Sequence, residues 1–476
     1  MRRGWVFWVL LALALGAVLR LSAQRGEFWL DEVLSYNLAR EAGSPVGVFA
    51  VKHDNNHHLN TAWLTLWPEA APWWLYRLLS VAAGLAAIVV AALVARRWGE
   101  AEAVFAAWLV ATNYWLVIAS AEARGYSLAV LFALAAFGAL WRYLDDGRRP
   151  WLVLFWVTAC LGFLSHLTFV HAYIGFVVWS LRRFAKDRVR PGDELRRLAI
   201  CHAGVVAFFA PFYLYCIRGM HVEGGPPGRL WPPIERLLAV PLGSELFPLI
   251  AGRPVSQVVN PVLVFCSAGL FLGGLKVLSE RKSDLWVFFL VAVVASPTVF
   301  LLRPPPILFE RYFYISYAFF VLLVAQMVGF RFRQVLGRLG RVRAVLFCFG
   351  FFLLLIAGNL AALWSFAGGG RGRFAEALAF VLEQDASVPV KVTGDDDFRV
   401  GAMLGFHAGY FPDREVVYVS NNRPGEAEWV LVHRLNDRDP VEDEVRDTAG
   451  NVYKLGQRYP ARGPSAWGWF VYRRER

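Results

Sequence analysis

Long apolar stretches alternate with short polar connections over the first three quarters of this chain. Stretches of roughly 18–25 apolar residues are long enough to cross a hydrocarbon core of about 30 Å as a single helix. The stretch at 151–182 is interrupted by Ser165 and His166, so it fits either two short helices or one long kinked helix. We predict eleven spanning helices, at residues 5–23, 73–95, 102–120, 125–144, 151–165, 167–182, 198–218, 257–278, 284–302, 311–329 and 343–365.

The pattern changes near residue 365. The segment "AGGGRGR" predicts a hinge, and "FAEALAFVLEQD" after it has helical periodicity. The segments "VPVKVTG", "REVVYVS", "EWVLVHRL" and "WGWFVYRR" predict short strands. In "GDDDF" a turn after a strand is favoured over a metal site. We therefore predict a membrane domain at 1–365, whose loop 24–72 carries juxtamembrane helices, and a small soluble α/β domain at 366–476.

Composition supports a membrane protein. The chain is 57% hydrophobic and 18% charged, whereas soluble domains average about 45–50% and about 25%. All five cysteines lie in apolar runs and lack metal-ligand spacing, so we interpret them as small hydrophobic residues. The net charge of +12 comes from basic residues between apolar runs, which indicates membrane topology and no nucleic-acid partner.

Basic residues also predict the orientation of the chain. If the N-terminus is cytoplasmic, "RRFAKDRVRPGDELRR" and "RFRQVLGRLGRVR" fall inside, and residues 366–476 fall outside. The arginine- and alanine-rich composition suggests a bacterium with a high GC content, hence a multi-pass protein of the bacterial inner membrane. The first apolar run also fits a cleavable signal peptide; as a retained span it would let Arg20 snorkel to the interface.

Ionisable groups at membrane depth are costly, so they indicate function unless they pair structurally. The predicted topology places four polar connections at the outer ends of the helices, where their side chains can meet in one cavity. These connections carry Asp31, Glu32, His53, Asp54, His57, His58, Glu122, Arg124, Tyr126, His166, Arg303, Glu310, Arg311 and Tyr312.

Several of these residues have simpler interpretations. Asp31 also fits as the N-cap of a helix that begins at Glu32. In "HDNNHH", His53 and His57 have i, i+4 spacing, so a divalent-cation site and a polar loop without metal both remain open. The pair Glu122 and Arg124 also fits a helix start among lipid headgroups.

The mixture of carboxylates, imidazoles and guanidiniums suits group transfer onto a hydroxyl with loss of a phosphate. A carboxylate accepts the proton of the attacking hydroxyl, and guanidiniums stabilise the leaving phosphate. Because nucleotide sugars are cytosolic and this cavity faces outward, a sugar carried on a polyprenyl phosphate is the expected donor. Arg124, Arg303 and Arg311 lie near headgroup depth, where its phosphate would sit.

The motifs resemble those of the membrane glycosyltransferases of the C superfold, especially the protein mannosyltransferase and aminoarabinose transferase families. "WLDE" is similar to their Asp-Glu pair after the first helix, and "HDNNHHLN" to a "DNHPPL"-like stretch, without its prolines. "AEARGYSL" and "FERYFY" are similar to their "EAR-Y" and "RY" segments. The resemblance covers the layout of the whole chain, including a soluble C-terminal domain.

The resemblance implies an inverting glycosyltransferase that moves a sugar from a polyprenyl-phosphate donor to a glycan, lipid or protein acceptor. It implies that Asp31 is the base, that Glu32 orients the acceptor or a metal, and that Arg124 and Arg311 hold the donor phosphate. A transporter or flippase and a non-catalytic envelope scaffold are the alternatives. The other expected phosphate contacts are Arg303 and Tyr312, and the expected substrate contacts are His53, Asp54, His57, His58, Glu122, Tyr126 and His166.

Overall fold

The computed structural model describes residues 4–186, 192–221, 229–246, 254–305, 308–434, 440–461 and 467–475. Helices occupy the first part of the chain, and a mixed sheet with two helices occupies the last. The helices of the first part are α1 (Gly4–Ala23), α2 (Leu30–Ala42), α3 (His58–Leu64), α4 (Trp73–Ala95), α5 (Glu100–Thr112), α6 (Tyr114–Ser120), α7 (Tyr126–Asp146), α8 (Arg149–Ser165), α9 (Phe169–Lys186), α10 (Asp193–Phe212), α11 (Trp231–Ala239), α12 (Pro254–Glu280), α13 (Leu285–Leu302), α14 (Tyr314–Leu339) and α15 (Arg341–Gly369).

Each of the eleven predicted spans coincides with a helix or, at 102–120, with the bent pair α5–α6. Seven of the described helices are long and apolar enough to cross a membrane, and the bent pair would make an eighth. The predicted number of spans is therefore higher than this criterion gives, although the helix positions agree. At 151–182 the structure has two helices, α8 and α9, which are separated by His166–Thr168.

The bend of 62° between α5 and α6 is stabilised by a buried arginine. Arg20 of α1 donates hydrogen bonds to the carbonyls of Val110 (3.2 Å) and Ala111 (3.0 Å) and to Ser120 Oγ (3.2 Å). A helix end leaves carbonyl groups without intrahelical donors, and Arg20 supplies donors there. The prediction that Arg20 snorkels to the interface is wrong, because its side chain lies inside the bundle with 1% exposure.

Replacement of Arg20 by methionine should destabilise the bundle, because each buried carbonyl left unsatisfied costs about 1–3 kcal/mol. Thermal unfolding of the detergent-solubilised protein would measure the effect. Arg25→Met is the matched control, since Arg25 is exposed two residues beyond the end of α1. Equal melting temperatures for the two variants would contradict this account of the bend.

The last part of the chain forms a six-stranded mixed sheet of order β2-β1-β3-β6-β5-β4. The pairs β1–β2 and β1–β3 are parallel, and the remaining pairs are antiparallel. The predicted helix and four strands are present, whereas sequence reasoning missed α17, β4 and β5. The elements are α16 (Phe374–Gln384), β1 (Val390–Gly394), α17 (Asp397–Ala408), β2 (Val416–Tyr418), β3 (Trp429–Arg434), β4 (Glu444–Arg446), β5 (Val452–Tyr459) and β6 (Gly468–Arg474).

In "GDDDF", Asp395 and Asp396 connect β1 to α17, and Asp397 is the first residue of that helix. Asp395 accepts a hydrogen bond from the backbone N–H of His433, and Asp396 caps α17 by accepting one from Arg399 N–H. Asp397 accepts hydrogen bonds from Tyr418 and Ser420. The contacts of these carboxylates agree with the predicted turn.

The sheet domain packs on the loop that follows α1. The ring of Phe406 from α17 stacks on Phe28 with 4.9 Å between centroids, and the Tyr410 hydroxyl donates to the carbonyl of Ala71. The carboxylate of Glu27 accepts a hydrogen bond from Ala375 N–H at the start of α16. These contacts place the sheet domain at the end of the bundle where α1 terminates.

Candidate active site

The carboxylate of Asp31 lies between two arginines that come from distant turns. It forms ion pairs with Arg124 Nη1 and, at 2.9 Å, with Arg311 Nη2. Helix α2 begins at Leu30, with Trp29 at the N-cap position, so the interpretation of Asp31 as an N-cap is wrong. The Asp31 side chain is 18% exposed, against 5% and 10% for those of Arg124 and Arg311.

Arg124 lies in a tight turn between α6 and α7 that three other elements hold in place. Ser80 Oγ of α4 donates to the Arg124 carbonyl (2.9 Å), and Asn60 Nδ2 of α3 donates to the Ala123 carbonyl (2.6 Å). The Ala123 N–H donates to Glu32 Oε1 of α2 at 2.7 Å. The alternative in which Arg124 meets lipid headgroups is wrong, because its side chain is buried inside the protein.

Arg311 sits on a short 3-10 turn, Glu310–Phe313, that leads into α14. Its guanidinium lies 4.0 Å from the ring centroid of Phe309 and 5.3 Å from that of Trp29. The Arg124 guanidinium is 5.8 Å from the same Trp29 ring, so this indole contacts both cations. Aromatic faces attract guanidiniums, and Trp29 therefore helps to hold the two like charges side by side.

Glu32, next to Asp31, has a separate partner. Its carboxylate receives two hydrogen bonds from Arg77 of α4, from Nε at 2.7 Å and from Nη2 at 2.6 Å. Both side chains have no exposed surface. The structure thus places Glu32 behind the site, in a bidentate ion pair that fixes α2 against α4 and the turn of Arg124. The expected role of Glu32 in orienting an acceptor or metal has no support in this geometry.

Two imidazoles and a phenol lie beside Arg124. The ring centroid of His166 is 4.6 Å from that of His57 and 4.3 Å from that of Tyr126. His57 Nδ1 accepts a hydrogen bond from Gly125 N–H (2.9 Å), and His166 Nδ1 accepts one from Thr168 N–H (3.1 Å). Each neutral ring therefore carries its proton on Nε2.

Burial keeps both imidazoles uncharged. It lowers the pKa of His57 well below the usual range, and His166 and Arg124 lower it further. Burial lowers the pKa of His166 in the same way, with Arg124 again adding to the effect. The Nε2 of His57 and the hydroxyl of Tyr126 are buried without a hydrogen-bond partner among the described residues. They are hydrogen-bonding groups that a ligand can use.

The backbone between α6 and α7 requires glycine at position 125. A Cβ added there would lie 1.9 Å from the Ser165 carbonyl oxygen and 2.9 Å from the Cβ of His57. The close approach lets the turn of Arg124, the loop of His57 and the end of α8 meet at one place.

Glu122, from the same turn as Arg124, pairs with the segment that leads into the sheet domain. Its carboxylate is 3.3 Å from Nε of Arg371, a residue that is 2% exposed and that follows α15. Burial raises the pKa of Glu122, and the Arg371 guanidinium opposes that effect. Glu122 therefore contacts the junction between bundle and sheet, outside the cluster of Asp31, Arg124 and Arg311.

The fold of the chain has counterparts among solved structures of membrane transferases. The structure of ArnT from Cupriavidus metallidurans in the apo state matches with a TM-score of 0.54 and 13% identity, covering 98% of each chain. The same protein bound to undecaprenyl phosphate matches with a TM-score of 0.53 and 13% identity, over 99% of this chain and 98% of ArnT. The oligosaccharyltransferase of Archaeoglobus fulgidus, in complex with Zn and sulfate, matches with a TM-score of 0.57 and 14% identity, over 89% of this chain and 67% of that one.

This chain has the C-type glycosyltransferase fold. The similarity lies in the structure, since no protein-family model and no curated protein sequence matches the chain. Within this fold, the cluster of Asp31, Arg124 and Arg311 lies at the end of the helical bundle that the sheet domain covers.

Asn55 belongs to the polar "HDNNHH" loop, but sequence reasoning gave it no role in the site. Asn55 Oδ1 accepts a hydrogen bond from Arg124 Nη2 (2.6 Å), and its Nδ2 donates to the Asp31 carbonyl (3.1 Å) and to Ser35 Oγ (3.1 Å). Asn55 thus ties Arg124 to the backbone of α2. The only sequence feature that could have identified Asn55 as a site residue is its position in this polar loop. Arg77 and Arg371 were also missed.

Besides Glu32 and Glu122, four further predicted site residues lie outside the cluster: Arg303, His53, Asp54 and His58. Arg303 is exposed at the end of α13 and forms no ion pair with any described residue. His53 pairs with Asp54 (3.0 Å). His58 packs its ring against Phe212, with 4.9 Å between centroids. Residues 53–57 precede α3 in a loop, so His53 and His57 do not share a helix face.

Proposed function

We propose that this chain is an inverting glycosyltransferase that moves a sugar from a polyprenyl phosphate to an acceptor at the outer face of the membrane. The observation that carries the proposal is the single carboxylate, Asp31, that contacts two buried guanidiniums at one end of a bundle with the C-type fold. A base and a site for a leaving phosphate are the two parts that such a displacement requires.

The reaction follows from these parts. The acceptor hydroxyl attacks the anomeric carbon of the sugar, and Asp31 takes the proton of that hydroxyl. The bond between the anomeric carbon and the phosphate oxygen breaks, and its electron pair stays on the phosphate. Arg124 and Arg311 stabilise the charge that develops there. One displacement inverts the anomeric centre and requires no protein nucleophile.

The buried groups beside the arginines fit a phosphate as well. In their neutral forms, His57 and His166 carry protons on Nε2, and Tyr126 adds a hydroxyl that has no partner among the described residues. On this proposal they donate hydrogen bonds to phosphate or sugar oxygens. Tyr312, whose ring lies 5.8 Å from the Arg311 guanidinium, borders the same place.

The neighbours in fold support a lipid-linked donor. ArnT was solved bound to undecaprenyl phosphate, and the archaeal oligosaccharyltransferase AglB with an inhibitory peptide and a dolichol-phosphate. We infer a bacterial inner-membrane protein with a membrane domain at 1–365 and an extracytoplasmic domain at 366–476. The arginine-rich connections at the opposite helix ends support that orientation. The acceptor is a glycan, a lipid or a protein.

The solved complex with Zn raises the question of a metal in this chain. In this structure Asp31 pairs with two guanidiniums and Glu32 with a third, so neither carboxylate is placed to hold a metal ion. Over the described parts of the chain, no group of three or more His, Cys, Asp or Glu side chains is placed to hold a metal ion. The described residues of the site therefore do not form a metal site in this arrangement.

Comparison of cells with and without the gene tests the proposal. Deletion should remove one sugar from a surface glycan, lipid or protein and let the polyprenyl-phosphate sugar accumulate. Mass spectrometry of membrane lipids and surface glycans would detect both changes. A wild-type copy should restore the modification, and so should Glu41→Gln, which changes an exposed carboxylate at the other end of α2. Identical glycans and lipids in the two strains would contradict the proposed function.

A further inference from the structure

The two guanidiniums proposed to bind the donor phosphate are already occupied by an anion of the protein. Arg124 Nη1 and Arg311 Nη2 both contact Asp31, and both contacts involve the same oxygen, Oδ2. The other terminal nitrogen of Arg124 donates to the uncharged Asn55. The carboxylate of Asp31 therefore stands where an oxygen of a bound phosphate would make the same hydrogen bonds.

The charges nearby are balanced without Asp31. Glu32 pairs with Arg77, Glu122 with Arg371, and Glu310 with Arg236 at 2.5 Å. Among the described residues, Asp31 is the carboxylate that pairs with both Arg124 and Arg311, in a place with little exposed surface. A phosphate that entered would compete with Asp31 for both cations, because two anions cannot share these donors without repelling each other.

We propose that the donor phosphate displaces the Asp31 carboxylate from Arg124 and Arg311 and thereby releases it to act as the base. The inference rests on the proposed function and adds an order of events to it. Without a donor, Arg124 and Arg311 both hold Oδ2 of Asp31, so this oxygen is not available to accept the proton of a hydroxyl. With a donor in place, the arginines hold the phosphate, and the carboxylate turns to the acceptor. The donor thus binds before an acceptor is activated.

A different role for Asp31 makes the opposite prediction. If Asp31 only positions the two arginines for a phosphate, its removal should let them move apart and weaken phosphate binding. If Asp31 competes with the phosphate, neutralisation should strengthen binding, since the two guanidiniums then lack their anion. The direction of the change distinguishes the two roles.

Binding of undecaprenyl phosphate to the full-length protein provides the test. The wild type, Asp31→Asn and Asp31→Glu would be placed in phosphatidylcholine nanodiscs at one fixed ionic strength, since zwitterionic lipid adds no competing net charge. We expect Asp31→Asn to lower the Kd by a factor of about 10, because the phosphate then no longer competes with a carboxylate for Arg124 and Arg311. Asp31→Glu keeps the competing charge and should not lower the Kd.

If Asp31→Asn is less stable than the wild type, thermal unfolding provides a second measurement of its binding to undecaprenyl phosphate. Asp31→Asn should then melt below the wild type without ligand and regain stability when undecaprenyl phosphate is added, by more than the wild type gains. Unchanged or weaker binding by Asp31→Asn would overturn the inference and leave the proposed function standing. A wild-type protein and variants that all fail to bind undecaprenyl phosphate would contradict the proposed function itself.

Discussion

Asp31→Asn is expected to lower the rate of sugar transfer by a factor of about 10²–10⁴, which is the usual contribution of a positioned general base. The amide has nearly the same size as the carboxylate, and it retains a carbonyl oxygen that accepts hydrogen bonds from Arg124 and Arg311. It cannot take the proton of an acceptor hydroxyl. The loss should therefore appear in kcat, while the affinity for the donor increases.

The measurement is the rate of transfer by purified protein, with the donor in vesicles and with the sugar and acceptor that the cellular comparison identifies. Glu41→Gln is the matched control, because it makes the same carboxylate-to-amide change at an exposed position of α2. We expect it to keep the wild-type rate. A wild-type rate for Asp31→Asn would show that Asp31 is not the base, whatever the fold.

The hydrophobic pattern located the long apolar helices of the bundle, but it did not predict the short helix α11. The pattern also predicted that Asp31, Arg124 and Arg311 lie at the same end, because consecutive spans alternate in direction and these residues all follow an odd number of crossings. The bend between α5 and α6 was not predictable in this way. Asn113 between them caps α6 with its side chain, and Arg20 stabilises the break from another helix.

The partners of the charged residues could not be derived from the pattern. Glu32 lies 45 residues from Arg77, and Glu122 lies 249 residues from Arg371. Such pairs depend on which helix faces meet, and hydrophobic periodicity does not determine which charged residues face each other across a packed interface. Arg303 was predicted to contact the donor phosphate because of its position in the sequence, but it is exposed in the structure. The predicted depth of a residue in the membrane does not determine whether its side chain points into the site.

The adjacent carboxylates Asp31 and Glu32 illustrate why local sequence was insufficient. Successive residues on a helix point about 100° apart, because there are about 3.6 residues per turn. Near the start of α2 this directs Asp31 toward Arg124 and Arg311, and Glu32 toward Arg77. The two acids do not share a site, and each has its own cations. The Asp31 side chain is partly exposed, whereas the Glu32 side chain is fully buried and supports the fold.

The complete burial of Glu32 leads to the second prediction with a large expected effect. Glu32→Gln should lower the free energy of unfolding by about 3–5 kcal/mol, because it leaves the Arg77 guanidinium buried without its counterion. Transfer should fall as well, since Glu32 Oε1 accepts the Ala123 N–H and so holds the turn that carries Arg124. Thermal unfolding and transfer rates of the same preparations would measure both consequences.

Glu100→Gln is the appropriate control, since Glu100 also pairs with an arginine, Arg96, at 2.9 Å, but with side chains that are 45% and 42% exposed. Solvent screens such a pair, and its loss should cost no more than about 0.5 kcal/mol. If both variants unfolded at the wild-type temperature, the Glu32–Arg77 pair would not be the support of the site. If Glu32→Gln lost activity at unchanged stability, Glu32 would act on the substrate after all, against the burial of its carboxylate behind α2.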